Sequence, residues 1–303
     1  MRAAVLPAVD AAFEIGDVPD PEPRDGQALV RVRAAGVNFA DVLIRRGRYP
    51  QMPGLPAVLG SEIAGELGDG TRVMAFTGGG GYAQLAAVER ERLAPLPEGA
   101  SFAEGAAFLL TFLTAYIPLT RQVRLREGAT VLVYAAAGGV GTAAVQVARA
   151  LGARVVAAAG SPEKLDVCRE LGAAEAYVYE ELPDDLQVDV VLDPVGGELF
   201  ASSFARLRPL GTVVAIGSAA GAWTEVDPAR LVGRNTGVQG FYLGRLTRHE
   251  PGLVAEALGE LLQLWGGGAI RPFVGAELPL DEVEASHELV ESRRSVGKVV
   301  LLP

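Results

Sequence analysis

The chain has 303 residues, half of them hydrophobic and 21% charged, enough for the core of one large domain or, as its length favours, two. A formal net charge of −10 opposes the phosphate-neutralising surface that nucleic-acid binding needs, and no apolar run reaches membrane-spanning length. The single cysteine, Cys168, excludes an internal disulfide framework and fits a reducing, cytoplasmic compartment, and MRAAVLPAVDAAFEI at the start carries no secretory cleavage pattern.

Residues 1–108 read as β-rich. Alternation in Ala28–Val37 separates Leu29, Arg31 and Arg33 from Val30 and Val32. Proline and glycine punctuate the stretch at 17–26, 48–56 and in TGGGGY, 77–82, which is expected to be a tight connection between two short strands. From Thr130 the rhythm changes. TVLVYA (130–135) is an apolar run suited to a strand buried on both faces, and GVGTAAVQVARALG reads as a helix stopped at Gly152. RVVAAA (154–159) is a second strand. Ser161 then offers an N-cap, with Pro162 at the first helical position. Further strands are expected in AEAYVY, VDVVLD (188–193) and GTVVAIG (211–217), with a helix in ELFASSFARL. This alternation implies a parallel sheet with crossover helices. TGVQGFYL (236–243) adds an edge strand, followed by a helix over 251–265 and a β-type tail. The expected domains are 1–108 with 245–303, and 109–244.

The first crossover carries AAAGGVG, 135–141. Against the dinucleotide pattern G-x-G-x-x-G, Ala136 replaces the first glycine, Gly138 is the second and Gly141 the third. Such glycines permit the turn, the approach of a pyrophosphate and close helix–strand packing. The helix N-terminus adds free N–H groups and the positive end of a dipole. The pattern follows a buried strand and opens an amphipathic helix, which is the context the motif requires.

An acid for the ribose belongs about 20 residues on, yet no Asp or Glu lies between Thr142 and Pro162. NAD would lack its hydroxyl partner. A 2′-phosphate prefers donors, and Ser161 and Lys164 supply them. The expected cofactor is NADPH; the competing reading leaves Ser161 and Pro162 as a cap and Lys164 in water.

GVNFADVLIRRGRYP (36–50), LGSEIAGE (59–66), LLTFLTAY (109–116), the glycine loop, GSPEK (160–164) and ESRRSVGKVVL (291–301) together resemble the zeta-crystallin-like quinone oxidoreductases of the medium-chain dehydrogenase/reductase superfamily. The resemblance implies an α/β protein: a GroES-like β-rich catalytic domain from both chain ends and an inserted Rossmann domain, with an interdomain cleft. It implies NADPH and a homodimer, here through the edge strand near 236–243. By position, Ala137, Gly138, Gly139 and Val140 would touch the pyrophosphate. Ser161, Lys164, Tyr179 and Arg293 would surround the 2′-phosphate end, and Asn38, Thr114, Gly160 and Gly217 would also contact cofactor.

Zinc-dependent members of the superfamily have Cys, His and Cys ligands where this chain has Asn38, Ser61 and Leu110, so no metal is expected. The Tyr-x-x-x-Lys pair of short-chain dehydrogenases is missing too. Without a Lewis acid, alcohol oxidation is disfavoured, while a quinone or activated alkene accepts hydride with modest hydrogen-bond help. The expected catalytic residues are Asn38, Tyr49 and Asp41. Asp41 has the alternative of an ion pair with Arg45 one helical turn on, and Glu62 is read as a brace. His249 and His287 are read as solvated.

The function expected is NADPH-dependent quinone reduction. Enone or enoyl-thioester reduction and a non-catalytic NADPH-binding role are the alternatives. Of 27 basic residues only Lys164 and Lys298 are lysines, and only Asn38 and Asn235 are asparagines. Genomic composition or a hot-living source explains the depletion, so the survivors merit scrutiny.

Overall fold

The structure, a computed structural model, describes residues 1–303. It divides into two compact units, Met1–Leu109 with Pro272–Pro303, and Leu110–Arg271.

In the first unit the strands are β1 (Arg2–Leu6), β2 (Glu14–Asp17), β3 (Gln27–Val37), β4 (Ala57–Val58), β5 (Glu62–Glu66), β6 (Arg72–Phe76), β7 (Leu85–Glu89) and β8 (Leu93–Pro95). The second unit holds β9 (Thr130–Tyr134), β10 (Arg154–Ala159), β11 (Glu175–Val178), β12 (Val188–Asp193), β13 (Leu207–Ala215) and β14 (Gly237–Gly240). The chain then returns to the first unit with β15 (Val274–Pro279) and β16 (Lys298–Leu302).

The first unit has a small sheet, β2-β1-β4, and a larger one ordered β15-β16-β3-β5-β6-β8, with β7 also on β3. The expected alternation holds in the first half of β3, and both faces are buried from Ala34 to Val37. There Val30, Val32, Ile63, Val73, Tyr82, Val299 and Leu301 share one core. β16 runs antiparallel to β3, pairing Val299 with Val37, so Lys298 comes beside Asn38. The TGGGGY segment connects two short strands, as expected. β6 and β7 pair with other strands rather than with each other, and Tyr82 at the end of the glycine run is completely buried.

The second unit is the expected doubly wound sheet, β11-β10-β9-β12-β13-β14, every pair parallel. β9 is buried along its whole length, and β14 forms the rim. The helix Pro251–Gly266 belongs to this unit, since Arg121 pairs with Glu256 and Glu260 at 3.3 and 2.7 Å. The return therefore falls after Arg271, later than the 244/245 boundary expected from sequence. No helix is long and apolar enough to cross a membrane.

One histidine corrects the sequence reading. His249 is exposed, but His287, on the helix Val283–Glu291, is fully buried and neither ring nitrogen has a partner. Its ring lies edge-on to Phe13 and Tyr82, at centroid distances of 5.0 and 5.8 Å. The helical period placed it on the inner face, which residue type concealed. Burial pushes its pKa down to about 3, with Arg45 adding repulsion. A lowered folded-state pKa means stability present above the unfolded value of about 6.5 and lost as pH falls towards 3. His287→Leu should therefore flatten the acid side of the stability curve, gaining about 2 kcal/mol relative to wild type between pH 7 and pH 5 in urea unfolding. A parallel decline in both proteins would show that this imidazole does not set the acid limit.

Candidate functional site

The glycine loop follows β9 directly. Gly138 caps the helix Gly139–Ala150, whose first N–H groups have no acceptor within the helix. A Cβ on Gly141 would lie 2.1 Å from the Ala135 carbonyl oxygen, so glycine alone lets helix and loop meet. Ala136 costs little at the first glycine position because the left-handed residue is its predecessor, Ala135, at φ +48°. The Ala136 N–H donates to Ala158 O at 3.0 Å, tying the loop to β10. This cradle fits a pyrophosphate.

β10 ends at Ala159, and Gly160 and Ser161 follow without a carboxylate at the strand end. Ser161 does not cap the next turn with its side chain; Pro162 takes the first position, as expected. Its hydroxyl instead bonds the exposed Glu163, holding that carboxyl below the usual range. Lys164 is half-buried, and desolvation lowers its pKa against the opposing pull of Cys168 and Glu163. The Tyr179 hydroxyl accepts the Ala135 N–H at 3.2 Å, and its ring lies 3.7 Å from where a Gly160 Cβ would be. Thus Gly160, Ser161, Lys164 and Tyr179 gather with the glycine loop in the second unit. Gly217 lies past the end of β13, and Thr114 is buried on the helix Leu109–Ile117. Arg293 is an exposed residue of the first unit, at φ +60° after the helix Val283–Glu291.

The first unit contains a buried polar cluster. Asn38 is the N-cap of α1 (Phe39–Arg45), and its side-chain Nδ2 donates to Glu62 Oε1 at 3.1 Å and to Gly36 O at 3.4 Å. The Lys298 ammonium donates both to Asn38 Oδ1 and to Glu62 Oε1. A Cβ on Gly36 would strike both the Ala106 carbonyl and the Glu62 carboxylate, so this close assembly needs glycine there. The sparse lysines and asparagines of the sequence have thus converged: Lys298 holds Asn38. The Asn38 amide, read as orienting substrate, is committed to Lys298, Glu62 and Gly36.

Asp41, three residues on, corrects the ion-pair alternative. Arg45 pairs with Glu284 at 2.6 Å, and Asp41 instead accepts the Asn38 N–H at 2.9 Å. Ser61 Oγ and Tyr82 OH also donate to Asp41, each at 3.1 Å. Burial raises the Asp41 pKa to about 6, partly offset by these donors and by Lys298. Burial and the Asp41 charge push the Tyr82 phenol well above its ordinary value. Tyr49 is half-buried in the irregular segment after α1.

Sequence reasoning missed Tyr82 and Lys298 as parts of this cluster, and it passed over a buried acid of the second unit, Asp193. Asp193 ends β12, buried, with Oδ1 accepting from Val195 and Gly196 N–H and Oδ2 unpartnered. Its desolvation raises its pKa. Its signal was an acid ending an apolar strand. No group of three or more His, Cys, Asp or Glu side chains is placed to hold a metal ion.

Two family profiles match the chain: an alcohol dehydrogenase GroES-like domain over residues 24–98 and a zinc-binding dehydrogenase over residues 139–259. A Thermus thermophilus quinone oxidoreductase, solved alone and with NADPH, is 43% identical, with a TM-score of 0.93 and full coverage of both chains. A Pseudomonas aeruginosa quinone oxidoreductase is 36% identical over 96% of this chain and 95% of its own. The rat synaptic vesicle membrane protein VAT-1 homolog is 34% identical over 93% of this chain and 78% of its own. The chain belongs to the zinc-free, zeta-crystallin-like quinone oxidoreductase family of the medium-chain dehydrogenase/reductase superfamily.

Proposed function

We propose that the chain is an NADPH-dependent reductase of quinones. The observation that carries the reading is the end of β10, which presents Gly160, Ser161 and half-buried Lys164 where an NAD site would present an acid. The related quinone oxidoreductases solved with NADPH, from Thermus thermophilus and Escherichia coli, support it.

The glycine loop and the N-terminus of the helix Gly139–Ala150 hold the pyrophosphate, while Ser161 and Lys164 bind the 2′-phosphate, with Tyr179 beside them. Bound NADPH supplies the hydride. The chain's own work is to orient a flat acceptor and exclude water. Tyr49 offers a hydroxyl to the acceptor, whereas Asn38 acts through the backbone geometry it fixes. The protein works in the cytoplasm as a homodimer joined along β14, whose outer edge has no strand partner within the chain.

The test is NADPH oxidation against benzoquinones, naphthoquinones, enals and enoyl thioesters. Quinones should give kcat/KM at least about tenfold above the other classes, a difference of about 1.4 kcal/mol. Higher values with enals or thioesters would move the assignment to alkene reduction. Tight NADPH binding with no acceptor oxidised would make the protein a non-catalytic binder.

A further inference from the structure

Asp41 is a buried carboxyl group with one way out. Of its three donors, the Tyr82 hydroxyl is fully buried and the Asn38 N–H belongs to a residue only 5% exposed. Ser61 alone is half-exposed, and its hydroxyl meets the other carboxyl oxygen, Oδ1. A proton entering or leaving Asp41 by hydrogen bonds must therefore pass through Ser61. Nothing in the cofactor reading uses this pair.

We propose that Ser61 and Asp41 form a proton port, with Asp41 as the buried reservoir and Ser61 as the hydroxyl that hands the proton to the reduced acceptor. The proposal rests on the reductase reading for its substrate, a conjugated carbonyl compound. Adding hydride to such an acceptor leaves an electron pair on the carbonyl oxygen, which takes one proton. The Ser61 hydroxyl gives its hydrogen to that oxygen while its own oxygen accepts the Asp41 carboxyl proton. One O–H bond forms on the product, Ser61 is unchanged, and Asp41 becomes a carboxylate. Water then returns a proton along the same hydroxyl. Electrophilic quinones give stable anions and need this least; enals give basic enolates and need it most.

The surroundings suit a reservoir. Lys298 and Glu62, from β16 and β5, oppose one another beside Asn38. Tyr82 stays protonated, and His287 behind it stays neutral at working pH. On the outer turn of α1, Arg45 and Arg46 are neutralised by Glu284 from the C-terminal helix region, and by Glu291 and Asp10. Asp41 is left as the group that titrates near pH 6. Because the acid form is the donor, delivery is full below that value and declines as pH rises through it.

The experiment measures kcat for an enal between about pH 5 and 8 in wild type, Ser61→Ala and Ser61→Thr, with NADPH affinity as a control for folding. Wild type and Ser61→Thr should decline through about pH 6. Ser61→Ala should be slower by about tenfold to a hundredfold at low pH and show no such decline. Retention of the same decline in Ser61→Ala would overturn the port. A second readout needs no acceptor: the infrared carboxyl band of Asp41, assigned by its loss in Asp41→Asn, in protein without cofactor. It should titrate near pH 6 and exchange its proton for deuterium more slowly in Ser61→Ala. Equal exchange rates would overturn the port even if enals proved not to be substrates, and slowed exchange would support it whichever acceptor is used.

Discussion

Lys298→Met is expected to cost the fold about 3–5 kcal/mol, because it strands the Glu62 carboxylate without its ammonium in a buried site. Glu62 is completely buried and Lys298 is 3% exposed, so water cannot take over either charge. Methionine keeps the length of the side chain and fills the space, leaving charge as the main loss. Combining the change with Glu62→Gln should recover more than half of the loss. A glutamine there can accept from Asn38 Nδ2 and donate to Asn38 Oδ1, replacing the ionic triangle with a neutral one. Urea unfolding of the two single variants and the double variant decides the matter. Additive losses, or a single-variant cost under about 1 kcal/mol, would mean that the three groups do not act as a unit.

The parallel sheet and its crossovers were legible in the sequence because each link is local. β12 is found where VDVVLD stands, and β10 where RVVAAA stands. The phosphate cradle was legible for the same reason: strand, glycine turn and helix are contiguous. The polar cluster was not. Lys298 is 260 residues from Asn38 and reaches it only through the pairing of β16 with β3. Tyr82 sits in a glycine-rich loop whose composition suggested a mere connection, yet it crosses 41 residues of sequence to reach Asp41. The Asp41–Arg45 spacing suited an ion pair, and the tertiary fold overrode it by supplying Glu284 to Arg45. Residue scarcity was the one sequence signal pointing towards Lys298 and Asn38, and it could not say that they meet.

Cofactor choice is the central claim, and it rests on what lies past the end of β10. The strand carries no acid to its end, Gly160 and Ser161 follow, and Lys164 is half-buried one turn into the next helical segment. A half-buried ammonium already bears part of its desolvation cost, so a dianionic phosphate returns more to it than water does. The exposed Glu163 works against the phosphate and makes Lys164 the decisive charge. The direct measurement is fluorescence titration of NADPH and NADH into wild type and Lys164→Ala. Wild type should bind NADPH more tightly than NADH. The substitution should weaken NADPH by about 1–3 kcal/mol, the range of a charge-assisted contact, and leave NADH nearly unchanged. Equal binding of the two cofactors by wild type, or equal losses for both in Lys164→Ala, would contradict the account.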